Sequence, residues 1–316
     1  MNISSYVNSV TISILTFNRA HLLVDLLSSL RNLKFHPLEI IVVDNHSEDG
    51  TEEMVTCQFP EVKYIRTDKN IGVVARNLGL AQAKGDIIIT LDDDVIGLND
   101  CKIEHLITIF NKEPSLGAVN FKVIFPPTNT ICNWVHHRKV EEYHDKRFLT
   151  YEITEGAVAF RKAALDKSGL YPEGFFISHE GPDLAFRIFE ADYDVIYDGN
   201  IQVDHLFADE GRPSWRRYYY DTRNLFWLAA RNFPFLYACK YLFKGLSAMS
   251  IYSLRDGFFK YWLKAVFDGV RGLDNAFKER KKLSKKTMKI IKEIDSARPS
   301  LIYQIRKRLF QKSVKI

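Results

Sequence analysis

The chain holds 316 residues, 46% of them hydrophobic and 26% charged, a balance that suits a globular protein with one large α/β domain and an appendage. Its four cysteines, Cys57, Cys101, Cys132 and Cys239, stand singly, which argues against a disulfide framework or a paired-cysteine zinc or redox motif and fits a reduced, cytosolic compartment. The net charge of +5 conceals a division, because residues 233–316 carry 20 Lys and Arg against 6 Asp and Glu, while the first 232 carry 24 against 33.

The opening residues, Met1 to Tyr6, lack the basic start and apolar stretch of a signal peptide. Val10 to Leu15 is β-branched and apolar and predicts a buried strand. Leu22, Leu23, Leu26, Leu27 and Leu30 recur at helical spacing and predict a helix within residues 19–33. Leu38 to Val43 predicts a second strand ending in Asp44-Asn45, with a helix over 50–57 behind it. Val62 to Ile65 is a third short strand, residues 72–83 form a small-residue helix, and Ile87 to Leu91 is a fourth strand running into Asp92-Asp93-Asp94. From residue 116 the pattern is mixed, with strands at 117–125, 153–160, 194–198 and 201–205 around a helix over 181–191. Beyond 213 the chain reads as helical and aromatic. Its most apolar part, Phe235 to Tyr252, contains Lys240 and Lys244 and is too short and too charged to span a bilayer.

Short strands alternating with helices predict a right-handed, mostly parallel α/β sheet. Ligands of such sheets bind at the carboxyl ends of the strands. Three polar clusters fall there: Thr16-Phe17-Asn18, Asp44-Asn45 and Asp92-Asp93-Asp94. Three adjacent carboxylates repel one another unless a cation neutralises them, and carboxylate oxygens suit Mg²⁺ or Mn²⁺ with diphosphate oxygens completing the shell. An acidic turn capping a helix would use the same residues; the position at the end of a strand favours the metal. Gly72 would let backbone approach a ligand, and Arg76 would meet a phosphate or orient the acidic cluster, unless it is merely a surface arginine. Glu180 and Asp183, three apart at the start of a predicted helix, are candidate general bases or simply helix caps. His205, just after a strand, is a candidate third metal ligand or a partly buried polar residue. The absence of G-x-G-x-x-G, Walker, H-E-x-x-H and G-x-S-x-G patterns removes the usual anchors for dehydrogenases, P-loop NTPases, zinc proteases and α/β-hydrolases.

Four segments taken together, VTISILTFNR at 10–19, EIIVVDNHSEDGT at 39–51, NIGVVARNLGLAQAKGDIIITLDDD at 70–94 and the stretch from Glu155 to His205, resemble glycosyltransferase family 2, the inverting group with the GT-A fold, in a bacterial glycan-type member. The resemblance spans about residues 9 to 232. It implies a Rossmann-like GT-A catalytic domain over 1–232, with a donor-binding half at about 9–115 and an acceptor and base half at about 116–232. Residues 233–316 are then a basic helical C-terminal extension.

The resemblance also implies roles. Thr16, Asp44 and Asn45 would hold the nucleotide base and ribose, with Gly72, Arg76, Asp92 and Asp93 also on the donor. Asp92 and Asp94 fill the D-x-D positions that hold Mg²⁺ or Mn²⁺, and His205 resembles a histidine used at the metal or diphosphate. Many members have Glu-Asp followed two residues later by Asp-Leu, the first Asp being the base. Here the stretch is Glu180-Gly181-Pro182-Asp183-Leu184, so Glu180 is the expected base and Asp183 the alternate. The aromatic and basic run Arg216-Arg217-Tyr218-Tyr219-Tyr220 with Arg223-Asn224 resembles acceptor-side helices.

The expected activity is thus metal-assisted, inverting transfer of a hexosyl or deoxyhexosyl group from a nucleotide-diphosphate sugar to a hydroxyl of a glycan or lipid-linked acceptor. Rival readings are a nucleotidyltransferase acting on a sugar phosphate, which lacks its glycine- and lysine-rich phosphate loop here, and a non-catalytic nucleotide-sugar-binding subunit. The tail places Leu301, Ile302, Ile305 and Leu309 on one helical stripe beside Arg306, Lys307, Arg308 and Lys312. That suits a peripheral contact with the anionic inner face of the cell membrane, a packed helix or an oligomer contact, and no nucleic-acid motif accompanies it.

Overall fold

The strand and helix periodicities of the sequence give an alternating series in the computed structural model, which describes residues 6–132, 134–206, 215–300 and 303. In chain order the elements are β1 (Val10–Thr16), α1 (Ala20–Leu30), β2 (Leu38–Asp44), α2 (Thr51–Gln58), β3 (Lys63–Arg66), α3 (Arg76–Gln82), β4 (Ile87–Asp92), β5 (Val95–Ile96), α4 (Asp100–Lys112), β6 (Leu116–Phe125), β7 (Thr130–Ile131), α5 (Val140–Tyr143) and β8 (Arg147–Leu149). Then come β9 (Ala157–Arg161), α6 (Lys162–Ser168), α7 (Glu180–Glu190), β10 (Asp194–His205), α8 (Trp215–Asn232), α9 (Phe235–Arg255), α10 (Phe259–Arg271), α11 (Leu273–Lys278) and α12 (Lys285–Ser296). The helix expected over 72–83 is a 3-10 turn, Gly72–Ala75, leading into α3.

One sheet runs β3-β2-β1-β4-β9-β6-β10-β5, with β7 beside β6 and β8 beside β10. β1, β2, β3 and β4 pair in parallel. β9 then enters antiparallel between β4 and β6, so that the second half of the chain is joined to the first by the strand next to the acidic triplet. The two strands expected at 194–198 and 201–205 are one strand, β10. Its pairing with β6 shifts register between Asp194 and Val195 and again between Asp198 and Gln202, where the ladder is interrupted and resumes.

The central strands are buried on both faces, which is why they read as unbroken apolar runs. Ile12, Ile14, Val42, Ile87 and Ile89 join Leu23, Leu26 and Leu27 of α1 on one side. Ile41, Val43, Ile88 and Val158 join Leu184, Phe186 and Phe189 of α7 on the other. α8 lies on this second layer through Leu228, Ala229 and Phe233 just beyond it, and α9, α10 and α11 pack in turn on α8. α12 returns to α7, inserting Met288, Ile291 and Ile294 into the same core. The tail stripe built on Leu301, Ile302, Ile305 and Leu309 lies outside the described residues.

Candidate active site

Parallel pairing sets the strand ends level. Thr16 is opposite Asp44, and Leu15 is opposite Asp92, so the three polar clusters form a single shelf. At its centre Thr16 Oγ1 donates to Asp93 Oδ2 at 2.8 Å. Arg19 Nη1 lies 3.1 Å from Asp93 Oδ1 and 2.8 Å from Asp94 Oδ2. Burial pushes the Asp93 carboxyl up to about 6, against the pull of Arg19. β5 follows the triplet immediately and pairs Val95 with His205, and this register carries the imidazole Nε2 to 3.3 Å from Asp94 Oδ1. One ligand atom each from Asp92, Asp94 and His205 lie within 4.8 Å of one another.

Those three donors fit a divalent cation. Asp94 Oδ1 is buried without a hydrogen bond, a condition that costs free energy unless something charged meets it. Two carboxylates suit Mg²⁺ or Mn²⁺, and the imidazole favours Mn²⁺ of the two. Asp92 is the most open of the triplet, with a side chain 28% exposed. It receives Arg76, whose Nη1 also donates to the Leu91 carbonyl at 3.2 Å. Arg76 is therefore buried at the first turn of α3 and orients the acidic cluster; it is not a surface arginine.

The outer part of the shelf is tied together by side chains. Asp44 accepts from Ser47 N at 2.8 Å and from the Tyr64 hydroxyl. Asn45 donates to Asn70 Oδ1 at 3.0 Å and to the Gly72 carbonyl at 3.2 Å, and accepts from Ile71 N at 2.9 Å, so it holds the turn before α3. Gly72 has φ +76°, and a Cβ there would stand 2.1 Å from the Phe176 carbonyl oxygen. Its lack of a side chain thus serves close packing against the loop before α7.

That loop is strained. Phe176, Ser178 and His179, none of them glycine, all have positive φ, a cost that clusters at functional sites. It is held by Asn224 Nδ2, which donates to the carbonyls of Phe175, Ile177 and Ser178, and by Ser178 Oγ, 2.6 Å from Asp221 Oδ1. Phe176 stacks on Tyr220 and Trp215 on Tyr261, giving the loop an aromatic wall on α8.

The loop delivers two carboxylates with different surroundings. Glu180 is 4% exposed, and its Oε2 is buried without a hydrogen-bond partner. Burial pushes its carboxyl up to about 7, with the charge of Asp221 adding to the rise and backbone N–H groups and Arg76 opposing it. Asp183 is fully buried but satisfied, at 3.0 Å from Arg187 Nε, 2.9 Å from Arg231 Nε and 2.8 Å from Asn232 Nδ2. Although burial alone would raise its pKa, the two guanidiniums and Asn232 hold it below the ordinary value.

Two residues of this site carried no role in the sequence reading. Arg19 is the first cation after β1, and a charge three residues past a strand end that already bears Thr16 was its available signal. Glu155 immediately precedes Gly156, whose missing Cβ would stand 2.2 Å from Asp92 Oδ2; this close approach has no signature in a single sequence.

A sheet whose main strands β1–β4, β6 and β10 run parallel around an antiparallel β9, carrying an acidic triplet at the strand next to β9, defines the GT-A class of glycosyltransferase. The family model for glycosyl transferase family 2 matches residues 11–169, and the chain belongs to that family. It is similar to the poly-β-1,6-N-acetyl-D-glucosamine synthase of Staphylococcus epidermidis, 30% identical over 36% of this chain and 28% of that longer protein. Its fold is similar to that of S. aureus TarS 1–349 in complex with UDP-GlcNAc, with a TM-score of 0.59, 17% identity, and coverage of 96% of this chain and 93% of the other. It is also similar to the mannosyltransferase PcManGT from Pyrobaculum calidifontis in complex with GDP-Man and Mn²⁺, with a TM-score of 0.54, 18% identity, and coverage of 99% and 83%.

Proposed function

We propose that the chain transfers a sugar from a nucleotide-diphosphate donor to an acceptor hydroxyl with inversion, using Glu180 as general base. The observation that carries this reading is a buried carboxylate without a hydrogen bond to one oxygen, across the site from a cluster that fits a divalent cation. Thr16, Asp44, Asn45 and the turn at Gly72 shape the shelf for the nucleotide. In this reading residues 9–115 hold the donor and residues 116–232 the acceptor, within a catalytic unit of 1–232.

Asp92, Asp94 and His205 would hold the metal. When bound, it would stabilise negative charge on the departing diphosphate by Lewis-acid interaction. Arg76 keeps the Asp92 carboxylate oriented through a guanidinium that is itself fixed on the Leu91 carbonyl. Arg19 keeps Asp93 and Asp94 apart from one another's charge. Glu180 takes the proton of the acceptor hydroxyl as that oxygen attacks the anomeric carbon, and its raised pKa makes it a base matched to neutral pH. Asp183 stays the alternate, but its two arginine partners leave it poorly placed to accept a proton, which supports Glu180. The test is a donor screen with Mn²⁺ or Mg²⁺ read by thermal shift, followed by turnover. Release of a free nucleoside diphosphate supports the reading, pyrophosphate release favours a nucleotidyltransferase, and binding without turnover favours a non-catalytic subunit.

Peripheral contact with an anionic membrane, which would suit a lipid-linked acceptor, is part of the same proposal. No helix among the described residues is long and apolar enough to cross a membrane. α9 and α10 nevertheless expose Leu236, Phe243, Leu254, Leu263 and Phe267, each more than half accessible. Lys240, Lys244, Lys260 and Arg271 stand exposed on the same two helices. Apolar side chains bordered by cations match a headgroup layer, whereas apposing two copies through this face would set like charges together.

A further inference from the structure

Position 181 carries no side chain, and its place in the site is already filled. A Cβ on Gly181 would stand 2.5 Å from Glu155 Oε1 and 2.9 Å from the Ile153 carbonyl oxygen. The carboxylate of Glu155 therefore occupies the volume that a residue beside Glu180 would use. The chain brings Glu155 there through the start of β9. Thr90 Oγ1 of β4 donates to the Glu155 carbonyl at 2.6 Å, and the next residue, Gly156, accepts from Asp92 N at 3.2 Å and lies against the Asp92 carboxylate. One short segment thus links the acidic cluster to the first turn of α7.

The charges around this point do not balance. The charge of Glu180 adds to burial in raising the Glu155 carboxyl, and Arg76 and Asp92 are the next charges that Glu155 feels. One guanidinium, already paired with Asp92, cannot neutralise two further carboxylates. Like charges that oppose one another's ionisation share a proton instead of both ionising. A carboxyl pair with one proton is a costly arrangement for stability.

Building on Glu180 as the acceptor-side base, we propose that Glu155 supplies a carboxylate in the place left by Gly181 and forms with Glu180 a single two-carboxylate base. In the transfer step the acceptor O–H bond breaks and its proton passes to this pair. The acceptor oxygen bonds to the anomeric carbon, and the bond from that carbon to the diphosphate oxygen breaks with its electrons leaving on the diphosphate. The pair begins the step with one proton and ends it with two.

The experiment is a reciprocal exchange of the carboxylate between positions 155 and 181, using the full chain and the nucleotide sugar that supports wild-type turnover. UDP with Mn²⁺ in thermal shift reports whether each variant keeps its donor shelf. Gly181→Asp alone should be destabilised and inactive, because the new side chain meets the Glu155 carboxylate. Glu155→Ala should lose at least a hundredfold in kcat with little change in donor KM. The double variant Glu155→Ala/Gly181→Asp should regain at least tenfold over Glu155→Ala, a rescue that a merely structural Glu155 would not give. An active Glu155→Ala, a Gly181→Asp as stable and active as wild type, or a folded double variant with no recovery would each overturn the proposal. Should Glu180→Gln be inactive while Glu155→Ala is active, Glu180 stands as the base and only the pairing falls. Should Glu180→Gln be active, the base assignment itself falls.

Discussion

Glu180→Gln separates catalysis from stability in opposite directions, and the size of the second effect follows from the burial of this side chain. The carboxyl moves from an ordinary 4.5 to about 7 because burial penalises its charged form. A group whose folded pKa is raised contributes its stability in full below the unfolded value and loses it as pH rises through the folded one. Wild type should therefore weaken between pH 4.5 and 7, and at about 1.36 kcal/mol per pH unit the loss amounts to about 3 kcal/mol. A glutamine has nothing to ionise. The stability difference, variant minus wild type, should accordingly grow in favour of the variant by up to about 3 kcal/mol from pH 5 to pH 8.5. Urea unfolding of metal-free protein at the two pH values measures it, and taking the difference across pH cancels whatever the amide gains or loses in hydrogen bonding. At the same time turnover should fall by at least a hundredfold with donor binding nearly unchanged. An unfolding difference that is the same at both pH values would refute the burial argument, and full activity of the variant would refute the base.

Asp94→Ala should keep the fold, since Arg19 retains Asp93 as a partner, but lose transfer and the thermal shift given by Mn²⁺; full activity of this variant, or of wild type in excess chelator, removes the metal reading. Asp183→Asn should instead act on stability, lowering it by about 3 kcal/mol through an uncompensated Arg187 and an Arg231 left with Glu279 alone, with turnover per folded molecule kept; loss of turnover in a fully folded variant would place the base three residues later. Wild-type turnover should rise with pH through about 7 as Glu180 ionises, and a rate independent of pH from 5.5 to 8 would contradict it. Phe243→Asp/Phe267→Asp should abolish flotation with anionic vesicles at low salt while leaving donor-stimulated thermal shift intact; equal flotation of variant and wild type would exclude this face as the membrane contact.

What could be read from residues alone was the part of the site that local pattern encodes. Strands buried on both faces leave apolar runs, and their carboxyl ends are marked by the first polar residues, so the sequence alone sets Thr16, Asp44 and Asp92 at one edge of a parallel sheet. The pattern of strands and helices implies a mostly parallel α/β sheet, and the GT-A architecture comes from the resemblance of the four segments to glycosyltransferase family 2. The interruption of the parallel sheet by β9 was not legible, because Ala157–Arg161 carries the same apolar signal whichever way it runs. Nor could spacing tell Glu180 from Asp183. Both are acids in the first turn of one helix, and the difference lies in Arg187 and Arg231, one of them on a helix 48 residues away.

The same limit explains the glycines. At Gly72, Gly156 and Gly181 another residue's oxygen, from Phe176, Asp92 or Glu155, stands where a Cβ would be. A glycine beside a catalytic acid is thus informative as a volume, and its meaning depends on which distant group has moved into it. At Gly72 the occupant is a backbone carbonyl, which can only pack and accept a hydrogen bond, as it does from Val73 N at 2.7 Å. At Gly156 and Gly181 the occupants are the carboxylates of Asp92 and Glu155, and Glu155 and Gly156 form one two-residue segment. That segment, Glu155-Gly156, touches both the acidic cluster and the first turn of α7, so any change in it should disturb the donor and acceptor halves of the site together.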